Sequence, residues 1–265
     1  MEKIVARNET YKLKTGEYCL DFLGYDSKNV TIDNEVNSNS KLLIKNIAGL
    51  DELNISIKKD SNLLLSLLLD QDIGNIRISI NVEENSSLEG FIADFSYNQL
   101  NLDCTINLLK EGASAYIKLA SLSSKNDNKN IGVSINHLVG KTYGKVDNYG
   151  VCKDSGRLLF AGTSHIFENA VKSKTQQNAK IMVFDEASNA IAKPILKIDE
   201  NDIEASHAAV VGKINDEHLF YMTSRGISEA DAKQLITLGY LKPILNGFNN
   251  EETRNYISSL IERRM

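Results

Sequence analysis

A short polar turn recurs along the first half of the chain at nearly constant spacing. It reads Lys-Asp-Ser-Asn at 59–62, Glu-Asn-Ser-Ser at 84–87 and Lys-Glu-Gly-Ala at 110–113, so equivalent positions are 25 and 26 residues apart. A looser copy, Lys-Asp-Ser-Gly, follows at 153–156. A repeat of this length is typical of one coil of a β-helix, which buries its inward side chains by stacking on its neighbours. The repeat therefore favours a β-solenoid over the alternative, an ordinary β-sandwich.

Between the turns, apolar and polar residues alternate as they do in strands that pack one face on a core. The clearest runs lie at 53–57, 76–82, 100–108 and 131–135. The longest apolar stretch, Leu63 to Leu69, is interrupted only by Ser66 and predicts a buried strand. The first 193 residues contain no proline, which suits a chain dominated by strands.

After Ile214 the pattern becomes helical. The predicted helices begin after polar cap residues and close on glycine or arginine: Asn215 to Gly226, Ser228 to Gly239, and Asn250 to Arg264. We therefore predict a β-solenoid over residues 1–214 and a helical region over residues 215–265. These helices could cap the open end of the solenoid, bind a partner, or do both.

Composition narrows the possible partners. The formal net charge is −5 and the pI is near 5.5, so the chain lacks the basic field that attracts nucleic acid or anionic lipid. The N-terminal sequence has no signal-peptide pattern, and no apolar run has the length of a membrane span. The three cysteines are widely separated and show no CxxC spacing. We expect a cytoplasmic protein with neither nucleic acid nor membrane as a partner.

Five separated motifs lie in the second half of the chain. They are INH at 135–137, FAGTSHIF at 160–167, TQQNAKIMV at 175–183, ASNAIAKPILKIDENDIEASHAAVVGKI at 187–214 and HLFYMTSRGISEADA at 218–232. In content and order they resemble the SufB/SufD family of iron–sulfur cluster assembly proteins, from about Ile135 to Leu245. The first half of the chain is similar to that family only in its solenoid character.

The resemblance implies a mainly β fold, a right-handed parallel β-helix with a small C-terminal α-helical region. It implies a scaffold rather than an enzyme, since ATP is hydrolysed by a separate SufC-type ABC ATPase. The helices at 228–238 and 250–264 are the implied docking elements for that ATPase, through Leu235, Ile236, Tyr256, Ile257 and Leu260. The terminal β-strands are expected to pair with a SufB-like subunit or with a second copy of the chain, giving a dimer.

Three residues bear on cluster chemistry. His207 falls on the histidine of the family's S-H-G-A stretch and is the candidate ligand for iron or a cluster, although a histidine that only bridges strands would look the same. Gln177 and Ala208 are expected near it, where SufB-like chains carry a cysteine and an acidic residue. Neither can replace a thiolate or carboxylate, so the resemblance is SufD-like. Iron or a cluster would be a transient substrate, with no permanently bound cofactor.

Two other classes use the same strand pattern. A secreted-type β-helix polysaccharide-active enzyme is the alternative function, but the chain has no tryptophan and only 7% aromatic residues with which to stack sugars. A structural adhesion or coat solenoid would need no helical tail that docks another protein. Cys104 and Cys152 lie in apolar strand-like runs and are expected to be small buried hydrophobes.

Overall fold

Two parallel sheets, whose strands alternate along the chain, form the body of the protein. The computed structural model describes residues 2–25 and 27–265. In this part of the chain sheet A has nine strands and sheet B has eight. Sheet A contains β1 (Glu2–Val5), β3 (Gly16–Asp21), β5 (Asn39–Lys45), β7 (Asn62–Leu69), β9 (Ser87–Asp94), β11 (Ser114–Ser123), β13 (Tyr143–Cys152), β15 (Lys174–Val183) and β17 (Glu204–Lys213). Sheet B contains β2 (Thr10–Leu13), β4 (Asn29–Asn34), β6 (Glu52–Ile57), β8 (Gly74–Val82), β10 (Gln99–Leu108), β12 (Asn128–His137), β14 (Arg157–Ile166) and β16 (Asn189–Ile198).

Each coil of the chain gives one strand to each sheet, because every strand pairs in parallel with the strand two places along. This arrangement is a β-solenoid, and the predicted fold class is confirmed. The predicted alternating runs became β6, β8, β10 and β12, with their apolar residues facing the space between the sheets. Ile78, Cys104 and Val133, for example, are in-register neighbours on successive coils and are each at most 1% exposed.

One corner of the solenoid explains the repeated turns. Asp60, Asn85 and Gly112 lie at this corner with positive φ, and the backbone N–H of each donates to a carbonyl of the next coil. The same corner is formed by Lys141 and Lys172 further on, at longer spacing, because the strands lengthen to ten residues. The prediction that the looser copy at 153–156 belongs to this series is wrong. It contains Asp154 and follows a strand of sheet A, so it belongs to the opposite corner.

The chain beyond the last strand is helical. It forms α1 (Asp216–Ser224), α2 (Glu229–Leu241), a short 3-10 helix (Lys242–Gly247) and α3 (Glu251–Arg264). The predicted caps are confirmed, since the side chains of Asn215, Ser228 and Asn250 accept hydrogen bonds from first-turn amides. The predicted end of the second helix at Gly239 is wrong. The helix continues into the 3-10 segment because Leu241 beyond it packs on sheet A.

The 3-10 helix and α3 lie on the outer face of sheet A. Apolar side chains of the sheet and of the helical region 215–265, called the tail below, form a second core there. The sheet contributes Phe91, Phe95, Ala120, Leu122 and Val151, and the tail contributes Leu241, Ile244, Phe248, Ile257 and Ile261. This contact also accounts for the apolar stretch Leu63–Leu69, since β7 is covered on both faces. None of the helices in the described part of the chain has the length and apolar character that a membrane span requires.

Candidate functional site

His207 lies on β17, the last strand of sheet A. It is the in-register partner of Gln177 on β15, and in-register residues of a parallel sheet point to the same face. Gln177 and its strand neighbour Ala179 are buried between the sheets, so His207 points to the same inner face as Gln177, at the open end of the solenoid. His207 is exposed because, in the part of the chain that the structure describes, no further coil follows β17 in sheet A. Its imidazole is therefore accessible to a second chain or to iron.

Gln177, the in-register partner of His207, belongs to a buried hydrogen-bond network. The amide nitrogen of Gln177 donates to Ser164 Oγ at 2.7 Å and to the carbonyl of Ile195 at 3.2 Å. Thr175 Oγ1 donates to the same serine oxygen at 2.8 Å. These bonds link sheet A to sheet B across the last buried coils. Gln177 is only 4% exposed, so its amide is committed to structure and offers no soft ligand to iron.

Ala208 does not join this site. It is in register with Asn178, whose amide donates to Asp147 Oδ1 at 2.8 Å on the outer face of sheet A. Successive residues of a strand point to opposite faces, so Ala208 faces away from His207. Ala208 is thus adjacent to His207 in the chain, with its side chain on the other face of the sheet.

The described residues hold no group of three or more histidine, cysteine or carboxylate side chains placed to bind a metal ion. Cys104 and Cys152, with 1% and 0% exposure, are in the core, as expected. Burial raises the pKa of the Cys104 thiol to about 12, which disfavours the thiolate that binds metals. His207 can thus supply one ligand, and the remaining ligands of any iron species would have to come from another molecule.

Two other histidines are fixed in the structure. His137 is fully buried and its Nδ1 lies 2.8 Å from Thr142 Oγ1; burial lowers its pKa to about 4. His165 Nε2 lies 2.6 Å from Asp199 Oδ2, and its ring stacks on Phe167. The hydrogen bond from His165 lowers the pKa of Asp199. No spacing pattern in the sequence predicts this pair, because the two residues are 34 positions apart and meet only when β14 and β16 stack on successive coils.

The C-terminal helices divide into covered and uncovered parts. Ile257 and Leu260, two of the predicted ATPase contacts, are buried against sheet A and cannot serve as surface contacts. Ile236 is partly buried, whereas Leu235 is 51% exposed. Tyr256 is partly exposed, with its hydroxyl donating to Asp70 Oδ2 at 2.7 Å.

Helix α1 exposes apolar surface that the contact prediction missed. Phe220 is 74% exposed and Tyr221 is 56% exposed, with the Arg225 guanidinium 4.6 Å from the tyrosine ring centroid. Adjacent residues of a helix point in different directions, so one neighbouring element cannot cover both aromatic rings. The adjacent pair was therefore the sequence signal for exposed apolar surface on this helix. Gly226 ends the helix with a φ of 87°, as predicted.

The two last strands expose apolar side chains as well. Val210 on β17 is 58% exposed, and Ile191 and Ile195 on β16 are 51% and 42% exposed. Both strands are sheet edges, so their outer backbone groups have no strand partner within the described chain. The open end of the solenoid therefore combines unpaired strand edges, apolar surface and His207.

Comparisons with known proteins agree with this architecture. The family described as SUF system FeS cluster assembly, SufBD core domain, matches residues 30–240. The chain is 32% identical over 161 residues to the iron-sulfur cluster assembly protein SufD of Bacillus subtilis, covering 61% of this chain and 37% of the relative. It is 30% identical to SufD of Escherichia coli over 115 residues, covering 43% of this chain and 27% of the relative.

SufB of Bacillus subtilis is 28% identical over 133 residues, which cover 50% of this chain and 29% of the relative. The chain thus spans only about a third of the length of the curated relatives that it matches. The family match nevertheless includes most of both sheets and the first two helices. On this basis the chain belongs to the SufB/SufD family and contains its SufBD core domain.

Proposed function

We propose that this chain is a SufD-like scaffold component of iron–sulfur cluster assembly, without catalytic activity of its own. One observation supports this most directly: His207 is exposed at an open solenoid end that also presents apolar strand edges. A second subunit that pairs with β16 or β17 would cover Val210 and Ile195 and would bring its own ligands towards His207. Iron or a nascent cluster would be the transient substrate of this interface.

The partner at this end would be a SufB-like subunit or a second copy of the chain. A SufB-like partner suits the chemistry better. The Gln177 amide nitrogen is already bonded to Ser164 and to the Ile195 carbonyl, and the Ala208 side chain faces away from His207. Neither residue supplies the thiolate or carboxylate that iron needs beside a histidine. The higher identity to the SufD relatives than to SufB supports the same assignment.

A SufC-type ABC ATPase would dock on the helical region, 215–265, which we treat as distinct from the solenoid, 1–214. Phe220, Tyr221 and Leu235 form its exposed apolar surface, and we place the contact there rather than on Ile257 and Leu260. Aromatic side chains of this kind often dominate protein interfaces. A reducing cytoplasm is the proposed compartment, supported by three free, buried cysteines.

Anaerobic reconstitution tests the scaffold role. The chain is combined with the SufC-type ATPase and a SufB-like sister, and iron content and absorption are compared between wild type and His207→Ala. Ser206→Ala is the matched control, because Ser206 is also exposed on β17 but faces outwards. We expect iron loading to fall in His207→Ala alone. Equal loading in all three proteins would reduce His207 to a structural residue.

Docking is tested separately by binding of the purified ATPase. The double variant Phe220→Ala/Tyr221→Ala should bind at least about tenfold more weakly, because it removes two exposed aromatic contacts. Val36→Ala is the control, since Val36 is 55% exposed but lies at the distant, N-terminal part of the solenoid. Unchanged binding of the double variant would contradict the docking surface.

A further inference from the structure

A buried ionic cluster lies where β9, β11 and β12 meet at one corner of the solenoid. Lys129 Nζ is 2.9 Å from Asp94 Oδ2, and neither side chain has any exposed surface. Asp94 also accepts hydrogen bonds from the hydroxyls of Ser96 and Ser121. This pair is therefore internally balanced, with one positive and one negative charge.

A second carboxylate lies at the same corner. Asp127 accepts from the backbone amides of Asn98 at 2.8 Å and Ser124 at 2.9 Å, and its side chain is 6% exposed. Its ion-pair partner is Arg264, the last residue of α3, with a side chain that is 13% exposed. The solenoid strands and corners thus contribute two carboxylates and one lysine, and the tail contributes the second cation.

The contacts of Arg264 reach beyond the ion pair. One guanidinium nitrogen donates to the carbonyls of Phe95, at 2.6 Å, and Ser96. The other donates to Asp127 and to Ser124 Oγ, the latter at 3.2 Å. Both carbonyls follow β9, so their hydrogen bonds anchor the end of α3 to that strand. A planar guanidinium can satisfy such a divided set of acceptors, which a lysine cannot.

We infer that Arg264 locks the carboxy-terminal helix onto the solenoid by completing the charge balance of this buried cluster. Without the arginine, the cluster would hold two buried carboxylates and only one cation, Lys129, a strongly unfavourable state. This contact between Arg264 and the solenoid, called the lock below, keeps the apolar outer face of sheet A covered. It also positions α2, which leads directly into the 3-10 helix. Tyr240 of α2 packs against Tyr149 of β13. Arg264 is thus a positioning residue for the proposed ATPase surface, a consequence that rests on the proposed function.

Hydrogen–deuterium exchange on the full chain tests the lock. In Arg264→Gln we expect amides of α3 and the 3-10 helix to exchange at least about tenfold faster than in wild type. Arg263→Gln is the matched control, because Arg263 is the preceding residue of the same helix, carries the same charge and is exposed. Equal protection of α3 in both variants and in wild type would overturn the lock.

A charge-specific readout comes from the double variant Arg264→Gln/Asp127→Asn. If charge balance is the cause, removing the orphaned carboxylate restores part of the α3 protection lost in Arg264→Gln. Protection that falls further in the double variant would overturn the inference. This comparison also serves if Arg264→Gln alone folds poorly. ATPase binding is then measured on the same proteins. If wild type does not bind the ATPase, the proposed docking fails, while the exchange result still decides on the lock.

Discussion

The imidazole of His137 occupies the space that a side chain at residue 144 would need. A Cβ built on Gly144 would lie 2.9 Å from His137 Nε2 and 3.0 Å from a methyl carbon of Ile135. Gly144 is on β13 and His137 ends β12, so the glycine lets the ring fit between the two sheets. The buried histidine and the glycine are therefore one packing unit.

Gly144→Ala should destabilise the protein by about 1–3 kcal/mol, because an added methyl group overpacks a filled core. Gly212→Ala is the control, since a Cβ at Gly212 on β17 meets nothing within 4 Å. Urea unfolding of both variants checks the prediction. Equal midpoints for Gly144→Ala and wild type would show that the ring can move aside.

Acidification should destabilise the protein through His137. Burial lowers the pKa of His137 to about 4, whereas an unfolded histidine has a pKa of about 6.5. Above pH 6.5 the residue is neutral in both states, and between pH 6.5 and pH 4 only the unfolded state takes up the proton. Folding free energy is therefore lost as pH falls through this window, by about 3 kcal/mol in total.

The measurement is the urea midpoint at pH 7 and at pH 4.5 for wild type and His137→Gln. Glutamine cannot take up this proton, so the variant should lose less stability between the two pH values. Carboxylates titrate in both proteins and cancel in the comparison. Parallel losses in the two proteins would show that His137 does not carry the effect.

Sheet B was readable from the sequence because its outer face is uncovered and polar. Asn101, for example, donates to Asn75 at 2.7 Å on that face, while its neighbour Leu102 is buried in the core. Alternation therefore survives in β8 and β10. The outer face of sheet A carries Phe91 and Leu122 beneath the tail, so apolar residues occur on both faces and the alternation is lost.

The tail contacts could not be predicted in the same way. The apolar stripe of α3 shows that the helix is covered, but the stripe does not say whether sheet A or another protein covers it. Ile257 was consequently assigned to a partner although it packs on this chain. Arg264 and Asp127 are 137 residues apart, and only the folded solenoid brings them together. His207 could be singled out because it lies in a local motif, whereas the hydrogen bond from Gln177 to Ser164 could not be predicted, because it joins strands of opposite sheets.

Replacing Lys129 with methionine should destabilise the protein by about 3–5 kcal/mol, because Asp94 would remain buried without its cation. Burial lowers the pKa of Lys129, and the Asp94 carboxylate opposes that shift. Lys28→Met is the control. Its ion pair with Asp51 has the same 2.9 Å distance but is mostly exposed, so its loss should cost at most about 1 kcal/mol.

Chemical denaturation of both lysine variants gives the comparison. A Lys129→Met protein as stable as Lys28→Met would mean that the buried pair contributes no more than a surface pair. That result would also weaken the charge-balance argument for Arg264, whose cluster includes Lys129 and Asp94.

The native protein should react slowly with thiol reagents. Cys19, Cys104 and Cys152 are free and at most 3% exposed, and burial raises the pKa of each thiol. Thiolate is the reactive form, so both access and ionisation oppose the reaction. Titration with a chromogenic disulfide should show three reactive thiols in denaturant and close to none before unfolding. A fast-reacting thiol in the native protein would require local opening of a coil.

Val210→Glu should prevent the proposed pairing at the open solenoid end while leaving the fold intact. Val210 is 58% exposed, so a charged side chain is tolerated in the free chain but would be desolvated in an interface. Val36→Glu is the control, because Val36 is 55% exposed on a corner far from β17. Circular dichroism should show the same thermal transition for both variants.

Size-exclusion chromatography with light scattering then compares assembly with a second copy or with a SufB-like sister. We expect the dimer to weaken at least about tenfold in Val210→Glu and to be unchanged in Val36→Glu. If Val210→Glu assembles like wild type, the exposed valine lies outside the interface, and pairing that covers the outer face of β17 is contradicted. If only Val36→Glu dissociates, the partner contacts the opposite end of the solenoid.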